Sequence, residues 1–192
     1  MNESNSCFNH PQTEDYSRWD VKHSGSLQIY EDGADGTDKS LLVVERTAVG
    51  SGFLVDLNST CLVEGRRYTF EAKTKLFTED GDPFNCTKSA GYADPQACPM
   101  FTIDFKNNGT NLASHYSNED PSIYSSTTWN TFRTTFTVNH ELAAADSASF
   151  RVHGPAVGIG IAIDRVSFNE YVPPAANCDQ MVLNGNAEVS NM

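Results

Sequence analysis

Two carboxylates and one histidine raise the question of chemistry in this chain. Glu71 in "RYTFEAKTK" (67–75) and Asp104 in "MFTIDFK" (100–106) each alternate with apolar neighbours, so each stands on the polar side of its segment. Two carboxylates about 5 to 9 Å apart on a concave surface can hydrolyse a glycosidic bond. Carboxylates spaced singly among polar residues are ordinary solvated groups, however, and the expectation here is no catalysis. His153 stands just before Gly154-Pro155, a corner where an imidazole either serves a site or marks one whose chemistry has changed. No G-x-S-x-G elbow, Walker loop or H-E-x-x-H helix occurs. "GSGFLV" and "GIGIAI" lack the third glycine and the following helix that nucleotide binding needs. The five cysteines form no C-x-x-C pair and none of the five histidines has a neighbour at zinc-ligand spacing, which excludes the common zinc sites.

The elements that must position these residues are strands. Period-two alternation recurs along the chain and no window of a dozen residues keeps a 3.6 period. Strands are expected at "SLQIY" (26–30), "SLLVVERT" (40–47), "GFLVDLN" (52–58), 67–75, 100–106, "NTFRTTFTV" (130–138), "SFRVH" (149–153) and "GIGIAIDRVSF" (158–168). The fold class is therefore all-β, a two-sheet antiparallel β-sandwich. Its inward rows are Tyr68, Phe70 and Ala72; Phe101, Ile103 and Phe105; Phe132 and Phe136; Phe150 and Val152. The opposite rows are polar: Glu71 and Lys73, Asp104 and Lys106, Arg133 and Thr135, Arg151 and His153. In the last strand the apolar parity slips between Ile163 and Val166, which predicts a β-bulge with Asp164 inside it.

The 192 residues carry a net charge of −12, the wrong sign for a partner whose phosphates must be neutralised, so nucleic acid is excluded as a partner. The longest nearly apolar stretch, 156–163, falls well short of the roughly 20 residues of a membrane span, and no membrane insertion is expected. Cys86 and Cys98 bracket "TKSAGYADPQA", a loop with little core-forming pattern. A disulfide there would restrict the unfolded chain by about 3 kcal/mol, and that bridge is expected. Together with sequons at Asn2, Asn58, Asn85 and Asn108 it favours a secreted or extracellular protein, with Cys7 or Cys178 pairing elsewhere. No charged segment followed by an apolar one opens the chain, so "MNESNSC" reads as a mature segment. After Tyr171, "VPPAANC" is a proline-bearing linker, which places one domain at 1–172. Residues 173–192 read as linker and first strand of a following similar module, because "NAEVSN" echoes "NESN".

Several segments, in order, resemble the jelly-roll carbohydrate-binding modules found beside xylanases and β-glucanases, a galactose-binding-like sandwich. "WDVKHSGSL" from Trp19 resembles that family's opening stretch, and "GTDKSLLVVERT" its Gly-x-x-Ser-Leu-x-Val-x-x-Arg. "VDLNSTCLVEGRRYTFEAKTK", "TTWNTFRTTFTV" and "FRVHGPAVGIGIAIDRVSF" are similar to its later blocks, so the resemblance spans about 19–168.

The resemblance implies a non-catalytic module that binds a polysaccharide or glycan on one sheet face and has neighbouring modules in the same chain as partners. The family's binding-face tryptophan falls on Gly50, and its acidic residue before the Gly-Pro corner falls on His153. Tyr116, thirteen residues before Trp129, matches its stacking tyrosine. Sugar recognition needs flat aromatic faces and side chains that donate to and accept from hydroxyls. The candidate ligand-binding residues are Tyr116, His153, Arg151, Arg46, Phe53 and Glu71, with Tyr124, Trp129, Arg133 and Asp104 as further candidates. The resemblance also implies a structural calcium ion between Glu3 and Asp164. The rival reading is a structural or adhesive module that has lost its sugar.

Overall fold

A computed structural model describes residues 19–88 and 94–171. Among these residues ten strands form two antiparallel five-stranded sheets packed face to face. In chain order they are β1 (Asp20–Lys22), β2 (Ser26–Tyr30), β3 (Ser40–Val44), β4 (Gly52–Leu57), β5 (Arg67–Phe77), β6 (Met100–Asn107), β7 (Thr110–Asn118), β8 (Asn130–Thr137), β9 (Ser147–His153) and β10 (Gly160–Glu170). The first layer runs β2-β3-β10-β5-β8 and the second β1-β4-β9-β6-β7. β9 and β10 thus supply an interior strand to each layer, and the 154–159 segment carries the chain from one to the other.

The inward rows expected from alternation are the core. Phe70, Phe105, Phe150 and Val152 are fully buried, and Tyr68, Phe101, Ile103 and Phe168 nearly so. Phenylalanines of the two layers meet directly: Phe70 lies 4.0 Å from Phe150 and Phe101 lies 3.5 Å from Phe132 between ring centroids. Each fully buried phenylalanine contributes about 2 to 3 kcal/mol through area removed from water, so this cross-layer stack holds the sheets together. The β10–β5 register shifts between Asp164 and Ser167, the expected bulge. The Cys86–Cys98 disulfide is also present, with Cα atoms 4.9 Å apart and both sulfurs in the core.

Two strands were not foreseen. β1 has three residues, too few to show a period. In β7, "TNLASHYSN", the inward row is carried by Ala113 and His115 instead of large apolar groups, because an edge strand covers only the border of the core. Glycine is required at Gly52, where a Cβ would lie 1.9 Å from the Val152 carbonyl oxygen, so any side chain there would collide with the β9 backbone. Glu3, Cys7, Cys178 and the 173–192 segment lie outside the described residues.

Candidate carbohydrate-binding face

The strand register lays the outward residues of the second layer out in rows. One row crosses all five strands as Asp20, Leu54, Arg151, Thr102 and Tyr116. The next, on four strands, is Asp56, Ser149, Asp104 and Ser114. Tyr116 is 55% exposed, so its ring is free to meet a partner. Beside it, Arg151 Nε lies 2.8 Å from Asp104 Oδ2 in an ion pair, and Ser114 Oγ donates to Asp104 Oδ1 at 2.6 Å. Both charged side chains are largely covered, at 17% and 13% exposure, which holds them in one geometry. The face therefore offers one aromatic ring, one aliphatic side chain and a fixed set of donors and acceptors.

His153 belongs to the same face but sits beneath its surface, buried at the end of β9. Its Nε2 is 3.0 Å from Thr102 Oγ1 and its Nδ1 has no partner. Burial first, then the Arg151 and Arg46 charges, push its pKa down to about 4, so the ring is neutral at neutral pH.

Three of the expected ligand residues are elsewhere. Phe53 is fully buried and packs edge-on against Trp19, because β4 turns Phe53 and Val55 inward and Leu54 outward. Arg46 is buried, and all five of its N–H groups donate to backbone carbonyls: Ser51, Ala156, Ile159, Val49 and Pro155. It clamps the 47–51 loop to the 154–159 crossover and has no donor left for a sugar. Glu71 is on the outer face of the first layer, 3.8 Å from Arg133, while Asp104 is on the outer face of the second. The two carboxylates are on opposite sides of the molecule and form no pair.

Trp129 is half-buried with Lys75 Nζ 5.9 Å from its ring centroid, and Tyr124 lines a pocket at the β7–β8 edge. Neither lies in the Tyr116 row. Ser114 and Leu54 were the site residues missed; Thr102, in the same row, is fully buried against His153. Parity points to Leu54, since it alternates with buried neighbours. Ser114 stands in a strand that alternation does not mark.

Comparisons with protein-family models and with curated proteins find no match. Comparison with solved structures does. The C-terminal family 22 carbohydrate-binding module of Clostridium thermocellum Xyn10B superposes with a TM-score of 0.58 at 17% identity, over 88% of this chain and 96% of that one.

The chain has the fold of these carbohydrate-binding modules.

The CBM22-1 xylan-binding domain of Paenibacillus barcinonensis Xyn10C gives 0.56 at 12% identity, covering 88% of this chain and 94% of that one. The enzymatically active domain of the bacteriophage CBA120 tailspike protein 4 also contains the fold, at 0.56 and 18% identity over 83% of this chain and 20% of that one. One architecture thus occurs in different settings, and function has to be argued from the face.

On this carbohydrate-binding-module fold, no ring stands at Gly50. The nearest side chain there is the His23 imidazole, whose Cδ2 is 3.5 Å from where a Cβ would be. At the bulge, Asp164 is fully buried and accepts from the Ala34 and Arg165 N–H groups and from Thr37 Oγ1. The Thr37 hydroxyl has a single proton, yet it lies 2.6 Å from Asp164 Oδ2 and 2.8 Å from the Ala34 oxygen. Calcium takes six to eight oxygens. Among the described residues no group of three or more His, Cys, Asp or Glu side chains comes together.

Proposed function

We propose that the chain is a non-catalytic, secreted carbohydrate-binding module that holds a polysaccharide or glycan across the face that carries Leu54, Arg151 and Tyr116. The observation that carries this reading is the exposed Tyr116 ring beside the partly covered Arg151–Asp104–Ser114 array. An aromatic face covers the C–H patch of a pyranose while fixed polar groups meet its hydroxyls. The solved modules of the same fold are named for xylan, so xylan is the first polysaccharide to test. Two of them adjoin other modules, a glycoside hydrolase or a second binding module, which supports reading this chain as one module of a multi-modular protein.

Affinity electrophoresis of the full chain through gels containing xylan, β-glucan or mannan tests the reading. One polysaccharide should retard the protein, and Tyr116→Ala should weaken binding about tenfold. Unretarded migration in every gel favours the structural or adhesive role, for which the missing ring at Gly50 already argues. A stacking ring can be supplied there: Gly50→Trp should strengthen binding up to about tenfold through added aromatic contact, measured in the same gels.

The reading includes calcium held by Glu3 and Asp164. An ion bound only by the folded state raises stability by mass action, so excess calcium should raise the Tm over that in a chelator, and Glu3→Gln should remove the difference. Equal Tm values in both buffers would count against the ion.

A further inference from the structure

Where the face meets the edge of the first layer, a cavity of about 190 Å³ opens between the end of β7, the 119–129 segment and β8. Asn118, Glu119, Ile123, Tyr124, Asn130 and Arg133 are among its walls. Glu119 is only 6% exposed; its Oε1 accepts from the Thr74 hydroxyl, while Oε2, buried, has no partner. Tyr124 Oη is buried beside it, within reach of the Thr74 and Asn130 side chains and of Glu119. At the mouth Ile123 is 75% exposed, an apolar side chain with nothing over it.

Buried polar atoms normally have partners, and an unpartnered carboxylate oxygen beside a buried phenol in one cavity is a site in need of an occupant. We propose that this pocket binds one pyranose-sized, uncharged polyhydroxyl unit, the terminal sugar of a glycan lying across the Tyr116 row. Each sugar hydroxyl donates and accepts, which matches an acceptor at Glu119 Oε2 beside a hydroxyl at Tyr124, and the ring's C–H patch matches Ile123. An anion is disfavoured by Glu119 and Asp120, and a cation meets Arg133 at the rim. Burial pushes Glu119 up to about 7, so near neutral pH its carboxyl donates as well as accepts. The cavity is smaller than the roughly 300 to 1,000 Å³ of a usual ligand pocket, which suits one ring and excludes an oligomer. Asn118 belongs to β7 beyond Tyr116 and shares its outward parity, so pocket and face adjoin.

The ligand class rests on the function proposed above, whereas the residues do not. Titrating the full chain with xylose, glucose, galactose and mannose, followed by NMR, tests the pocket separately from the gels. One sugar should give saturable shifts at the Ile123 methyls and the Tyr124 ring. Glu119→Gln and Tyr124→Phe, each checked for folding by Tm, should weaken that binding about tenfold. The proposal is overturned if no sugar gives saturable shifts there, if the shifts are confined to Leu54 and Tyr116, or if neither variant changes them. Pocket shifts without retardation in any gel would remove the face and keep the pocket; retardation without pocket shifts would do the reverse.

Discussion

Replacing Arg46 by alanine is expected to lower the free energy of unfolding by about 4 kcal/mol, as read from urea unfolding. The guanidinium is 2% exposed, and no carboxylate among the described residues pairs with it. Its charge is held by five carbonyl dipoles, two from the 47–51 loop and three from the crossover between layers. Burial lowers its pKa to about 10, which leaves it protonated at neutral pH. Removing it leaves the Ser51, Pro155 and Ile159 carbonyls without the donor it supplied, at about 1 to 3 kcal/mol for each that water cannot reach, while Val49 and Ala156 still accept from the Gly154 and Ile159 N–H groups. Against a total stability of about 5 to 15 kcal/mol, that is a large share. Arg46→Lys should recover less than half of the loss, because three donors on a point charge cannot span carbonyls arranged for a planar fork. A loss below 1 kcal/mol for the alanine variant would show that the clamp does not hold the loops.

The second large effect is in the pH dependence of stability, where two buried groups oppose one another. Glu119 has its carboxyl raised from 4.5 to about 7 by burial. Its contribution is fully present below pH 4.5 and is lost as pH rises through 7, because the unfolded chain ionises first. His153 is lowered from 6.5 to about 4, so its contribution is present above pH 6.5 and lost as pH falls through 4. Each is worth about 3 kcal/mol across its window at 1.36 kcal/mol per pKa unit. Between pH 4.5 and 6.5 the two slopes nearly cancel, and their part of the wild-type profile should be flat. Glu119→Gln should then gain stability with rising pH over that range, and His153→Gln should lose it. Urea midpoints at pH 4.5, 5.5, 6.5 and 7.5 measure this. Parallel profiles for wild type and both variants would contradict the burial of these groups.

Much of the fold was legible because a half-buried strand writes its environment into its own alternation. Phe101, Ile103 and Phe105 face the core for the reason visible in "MFTIDFK", and the slip around Asp164 announces the bulge without reference to any other strand. Cys86 and Cys98 are near in sequence, so their pairing required no knowledge of the sheets. β7 was not legible, since its inward row is alanine and histidine, and it carries the exposed tyrosine of the candidate face.

The site was less legible than the fold, and the reason is distance along the chain. Alternation reads Arg46 as a polar residue within the 40–47 strand, whereas β3 ends at Val44. That its donors meet carbonyls more than a hundred residues later depends on where the crossover passes. Glu71 and Asp104 have the same sequence signature, and only the strand order puts them in different layers. Phe53 and Leu54 differ by one residue, and the pairing of β4 with β9 decides which of them looks outward. Glu119 follows an edge strand that has no apolar period, so nothing local marks it as buried. The sequence by itself determined the all-β class, the inward rows, the bulge and the disulfide, since each follows from residues close together in the chain. Only the tertiary structure decided which polar residues share a surface, because strand order and register bring together segments that the chain keeps far apart.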